Sequence, residues 1–106
     1  MRYRVMRLMI MFDLPVLTSE NRRNYRKFQK ALINEGFLMM QYSIYVRVCS
    51  TKKSAEFLEH RIAAMKPPIG TVQTLMVTEA QYQAMHFLVG EAKQDIRNSA
   101  DRTVII

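Results

Sequence analysis

Residues 37–49, FLMMQYSIYVRVC, decide the fold, because everything depends on whether they form one strand or two. The stretch is strand-like, with Tyr42, Ile44, Val46 and Val48 pointing one way and Ser43, Tyr45, Arg47 and Cys49 the other. Thirteen residues are long for one strand, given that strands usually run about 3–10. The polar Gln41-Tyr42-Ser43 marks a bend that divides the stretch into two short paired strands. Upstream, residues 4–13 (RVMRLMIMFD) read as a strand whose Leu8–Phe12 run is apolar on both faces, which suits a central strand covered on each side. Asp13-Leu14-Pro15 ends it, since proline cannot donate to the ladder. Residues 19–35 read as a helix capped by Thr18 or Ser19, with Tyr25, Phe28 and Leu32 as its buried stripe. Gly36 fits the left-handed position that stops a helix.

Downstream, residues 51–65 form a second helix, capped by Ser50 or Thr51 and turned inward on Ala55, Leu58, Ile62 and Met65. Lys66-Pro67-Pro68-Ile69-Gly70 breaks it, and residues 71–78 (TVQTLMVT) are another strand. Weaker strand signals follow at 84–89 and 102–106. With the bend at Gln41–Ser43 the order is βαββαβ, an α+β, ferredoxin-like sandwich with an antiparallel sheet, two helices on one face and extra C-terminal strands. All 106 residues make one domain, and 84–106 form an extension suited to dimer or partner contacts. The terminal TVII is a short hydrophobic strand of the kind that completes a sheet edge, its own or a partner protomer's.

Charge narrows the function. Sixteen basic and nine acidic side chains give +7, but 11 basic and 3 acidic residues fall in 1–53, against 5 and 6 in 54–106. A domain polarised in this way favours an anionic partner, and nucleic acid fits best because each phosphate neutralised releases counterions. The longest apolar run, Leu8–Phe12, is too short for a membrane span or a secretory core. One cysteine, Cys49, allows no internal disulfide and no zinc pattern, so a cytoplasmic location is expected.

Arg22, Arg23, Arg26, Lys27 and Lys30 place five cations in nine residues with no acid between them. Like charges repel at this spacing, so the ridge reads as a grip on a duplex backbone rather than as a solvated face. Arg2, Arg4 and Arg7 add to the same sign. Asp13 is the only carboxylate in the first 19 residues and sits where a buried strand emerges, a place suited to Mg²⁺. In a two-fold dimer two copies could share one ion; the plainer reading is a turn-forming Asp bonded to nearby backbone. A phosphodiesterase needs a metal to polarise the phosphate and activate water, and no base or second acidic cluster stands near. The methionines and Tyr42 and Tyr45 read as packing, Cys49 as a buried small hydrophobe, and His60 and His86 carry no visible role.

MRLMIMFDLP, NRRNYRKFQKALINEGFLMMQYSIYVRV and GTVQTLMVTEAQY together resemble the small adaptation protein of CRISPR systems, CRISPR-associated protein two, above all the type II form. The resemblance covers nearly the whole chain. It implies a ferredoxin-like protomer in a tight homodimer that bridges dimers of the integrase subunit, Cas-one. That assembly captures short double-stranded DNA and inserts it into the CRISPR array as a new spacer. Family members are also described as metal-dependent endonucleases acting on RNA or double-stranded DNA, with the strand-end Asp as Mg²⁺ ligand. That Asp maps onto Asp13, the helix arginines onto Arg22, Arg23 and Arg26, and a serine of the second strand region onto Ser43. The aromatic before the Asp, often Tyr in the family, is Phe12 here, so a hydroxyl is lost at that position. Two functions follow: a DNA-binding scaffold for integration, or a Mg²⁺-dependent endonuclease working through Asp13. A ligand-binding regulatory module is the third use of such a fold, and no phosphate loop or clustered site speaks for it.

Overall fold

Leu8–Phe12 need cover on both sides, and in the computed structural model, which describes residues 5–91, the strand that carries them is central. The elements are β1 (Met6–Asp13), α1 (Ser19–Asn34), β2 (Leu38–Gln41), β3 (Ile44–Cys49), α2 (Lys52–Ala63), β4 (Thr71–Thr78) and a short α3 (Glu79–Gln83). The four strands form one antiparallel sheet in the order β2-β3-β1-β4. This is the ferredoxin-like α+β arrangement expected from βαββαβ. The division of 37–49 falls at Tyr42-Ser43, where Ser43 takes a left-handed φ of 65° and β2 turns back on β3. Tyr42 therefore projects from the turn, 88% exposed, and joins neither face.

Register sorts the side chains. Met6, Leu8, Ile10 and Phe12 of β1 share a face with Tyr45 and Cys49 of β3, and this face packs on Phe28 and Leu32 of α1 and on Ala55, Leu58 and Ile62 of α2. The opposite face carries Met9 and Val46 with Leu38, Met40, Ile44 and Val77, covered in part by Tyr82 of α3 and by Met85. All three helix starts are capped: Thr18 Oγ accepts from the Asn21 amide at 3.0 Å, and Thr51 and Thr78 form reciprocal capping boxes with Ser54 and Gln81. Gly36, at φ +91°, follows Glu35, the C-cap of α1, as the stop position requires.

Four expectations are corrected. Residues 84–89 do not form a strand; Ala84 closes α3, Met85 packs on the second sheet face, and Phe87, Leu88 and Val89 are exposed. The sheet's second face carries α3, a helix missing from the sequence expectation. Met65 lies beyond the end of α2 and is 38% exposed, so the inner stripe stops at Ile62. Arg7 is no surface cation. It is fully buried beside α3, its Nε and Nη2 donating to Glu79 at 2.7 and 3.1 Å and its guanidinium 4.1 Å from the Tyr82 ring centre. Arg2, Arg4 and the strand expected at 102–106 lie outside the described residues. No described helix is long and apolar enough to cross a membrane.

Candidate nucleic-acid interface and strand-end cleft

Helix α1 buries Phe28 and Leu32 and turns every one of its expected cations outward: Arg22, Arg23, Arg26, Lys27 and Lys30 are all exposed. Arg22 is the exception within the ridge. Its Nη1 donates to the carbonyls of Val16 and Leu17 at 3.0 and 3.2 Å, so it also fastens the loop that leads from β1 into the helix. Among the described residues the ion pairs are Arg7–Glu79 and Arg61–Glu35, and neither draws on the ridge. Glu20, the acid of the first turn, sits at the helix's positive end, where it stabilises the helix rather than neutralising the ridge. The ridge therefore presents uncompensated positive charge at helical spacing, which suits a run of backbone phosphates and reads no base.

At the end of β1, Asp13 is exposed and pairs with Thr71 across the sheet. The next residue, Leu14, is buried and turns the chain inward against Gly70. Gly70 has φ +105°, and a Cβ there would stand 2.6 Å from Leu14 Cδ2 and 2.9 Å from the Asp13 carbonyl oxygen. Only glycine permits that approach. From the other side, the Ser43 carbonyl accepts from the Phe12 amide at 3.0 Å, and the Ser43 hydroxyl shares a 3.1 Å hydrogen bond with the Tyr25 hydroxyl. Asp13 and Ser43 thus line one open cleft of about 310 Å³, with Tyr42, Thr71 and Gln73 on the same wall.

Phe12 points away from the cleft into the core, edge-on to Tyr25 and Phe28 and stacked 5.7 Å from Tyr45. Tyr25 reaches Ser43 from α1 through the shared hydroxyl hydrogen bond and does not itself line the cleft. Among the described residues no three His, Cys, Asp or Glu side chains converge on a metal position. The cleft holds one carboxylate and several neutral oxygens. Mg²⁺ takes one or two carboxylates and keeps several waters, so the donors of this cleft suit such an ion with Asp13 as the one carboxylate.

Sequence reasoning missed Tyr25 as a polar partner, Gly70 as the residue that sets the strand end, and the Arg7–Glu79 pair. The first two had a signal, a tyrosine on the ridge helix and a glycine just before a strand. The third had none, because its members are 72 residues apart. Cys49 is buried as expected, and burial pushes its thiol above 9.0 while nearby Arg47 pulls it partly back. His60 and His86 are exposed, and neither lines the cleft.

Comparison with known proteins adds the family. A family model described as CRISPR associated protein Cas2 matches residues 6–85. A protein of Lacticaseibacillus rhamnosus named CRISPR-associated endoribonuclease Cas2 is 77% identical over 101 residues, spanning 95% of this chain and all of the relative. Proteins of the same name from Ligilactobacillus salivarius and Treponema denticola are 63% and 42% identical over the same share of each chain.

Proposed function

This chain belongs to the Cas2 family of CRISPR-associated proteins, and from that membership we propose that it serves CRISPR adaptation as a DNA-binding scaffold. In this reading a homodimer grips double-stranded DNA by its backbone and bridges dimers of the integrase subunit, Cas-one, while a new spacer is captured and integrated. The α1 ridge carries the reading. Arg23, Arg26, Lys27 and Lys30 stand exposed with no carboxylate paired to them among the described residues, an arrangement whose self-repulsion a polyanion relieves. A homodimer draws support from the second sheet face, which a five-residue helix leaves partly open, with Leu75 half exposed.

A second reading has its own observation. Asp13 and Ser43 share a cleft, and relatives bear the name endoribonuclease. Two Asp13 carboxylates brought together by dimerisation would hold Mg²⁺, which polarises a phosphodiester and activates water. Here RNA or DNA cleavage is lost with a chelator and with Asp13→Ala. Cleavage that survives Asp13→Ala belongs to another site or another protein.

The test is integration of a short labelled duplex into a repeat-bearing plasmid, with the integrase partner and Mg²⁺, by wild type and Asp13→Ala side by side. Equal integration leaves Asp13 structural and the scaffold reading standing. Integration by wild type alone, with the variant still dimeric, brings the Asp13 cleft into the reaction. Arg23→Gln/Arg26→Gln is expected to weaken duplex binding and lower the log–log salt slope by about 2; unchanged affinity would sink the scaffold reading.

A further inference from the structure

The fold gives its other tied arginines partners: Arg7 has Glu79, Arg61 reaches both oxygens of Glu35, and Arg22 has two carbonyls. Arg47 has none. It stands on β3, half-buried, and among the described residues its guanidinium makes no hydrogen bond or ion pair. No described side-chain nitrogen is both buried and unpaired, so the Arg47 guanidinium keeps contact with solvent and is open to a ligand of opposite sign. The guanidinium lies over Gly36, where a built Cβ would come within 3.3 Å of Nε, so the missing side chain at Gly36 keeps its place open. Together with Leu38, Cys49, Ser50 and Ser54 they line a cavity of about 420 Å³ at the β2 edge of the sheet. Lys52 and Lys53 follow Ser50 in sequence outside the cavity lining, both exposed, and the first turn of α2 contains no acid. Glu35, the acid beside Gly36, is committed to Arg61.

From these placements we infer that the Arg47 cleft is a second phosphate-binding site, one that takes a phosphodiester of a nucleic-acid backbone. It rests on the nucleic-acid reading of the α1 ridge and extends it. Gly36 lies six residues beyond Lys30, about 9 Å along the helix axis, so a strand that follows the ridge towards the end of α1 approaches the cleft. Ser50 and Ser54 line the same cavity and offer further hydroxyl donors to that phosphate. A phosphodiester contact of this kind carries no base-sequence information, so specificity for sequence is not expected.

The test uses the full chain and a labelled duplex titrated across salt, with Arg47→Gln, Arg47→Lys and the ridge variant Arg23→Gln/Arg26→Gln. Arg47→Gln is expected to bind about tenfold more weakly and to lower the log–log slope by about 1, while Arg47→Lys keeps the slope because it keeps the charge. Thermal melting of Arg47→Gln is expected close to the wild-type temperature, since the guanidinium has no protein partner among the described residues to lose. A wild-type slope in Arg47→Gln, with the ridge variant reduced, overturns this inference and leaves the ridge reading intact. A wild type without salt-dependent duplex affinity overturns both. A clear drop in melting temperature for Arg47→Gln assigns the guanidinium a structural partner and overturns the site. Millimolar inorganic phosphate that raises the melting of wild type but not of Arg47→Gln, without any change in duplex slope between them, assigns the cleft to free phosphate and overturns it equally.

Discussion

Arg7 is buried on the second sheet face, where Glu79 meets it through two hydrogen bonds with 25% of the Glu79 side chain still exposed, and Tyr82 offers its ring face. A bidentate pair of this kind is strong in geometry, and removing one member takes a charged partner from a buried position. Glu79→Ala is therefore expected to cost about 3 kcal/mol in denaturant unfolding, and Glu79→Gln less, because an amide oxygen still accepts one bond. The Tyr25–Ser43 hydrogen bond is a milder case at half-buried positions. Tyr25→Phe and Ser43→Ala should each lose about 1 kcal/mol, and the double variant should lose less than their sum, because both remove one interaction. Cys49 gives a pH dependence. Its thiol holds its proton longer in the folded chain than in the unfolded one, owing first to burial. The stabilisation is complete below the ordinary value of 9.0 and declines as pH rises past it, so the wild-type advantage over Cys49→Ala should shrink there. Paired unfolding curves at about pH 8 and about pH 10.5 measure it.

At the scale of elements, the segments that pair locally were legible and those that depend on distant surroundings were not. The bend at Gln41–Ser43 showed because a hairpin is settled by adjacent residues, and β4 showed at its observed bounds because glycine and proline precede it. The apolar run at 84–89 misled because hydrophobicity does not supply a sheet edge. The chain leaving α3 sets Met85 on the second face instead and leaves Phe87–Val89 exposed. Helix α3 was missed although Thr78-Glu79-Ala80-Gln81 carries a capping-box signature, because only Tyr82 of its five residues is buried and its anchor, Arg7, lies far upstream. The candidate site divides likewise: the ridge and Asp13 were readable from residue type, whereas the closeness of Asp13 to Ser43 depends on Gly70 and Tyr25. Gly70→Ala tests that dependence. Its Cβ would press on the Asp13 carbonyl and on Leu14 in a backbone conformation that L residues avoid, so a loss of about 2 kcal/mol or more is expected. Backbone amide shifts in a heteronuclear NMR spectrum should move at Asp13 and Leu14 and stay in place at the far end of the sheet.

The two faces of the sheet divide the molecule's work. Helices α1 and α2 close one face, and the ridge lies on their outer side. The other face holds Met9 and Val46 beneath a cover that α3 only partly completes, and Leu75, which pairs with Met9 in register, is 50% exposed there. If two chains join through this second face, both ridges are left on the outside of the pair, where one duplex or two can reach them. A carboxylate introduced on the face would be desolvated twice over, once in each copy, which makes it a sharp probe of the arrangement. Leu75→Glu is expected to sediment as a monomer where wild type sediments as a dimer, with little change in the stability of the single chain because the position is already half in water. The same variant separates binding from bridging. A monomer carries one ridge, so the log–log salt slope for duplex binding should fall to about half the dimer's, and integration with the partner subunit should be lost altogether. A dimer that persists in Leu75→Glu would place the contact elsewhere on the chain, and a halved slope without loss of integration would show that bridging does not need two ridges.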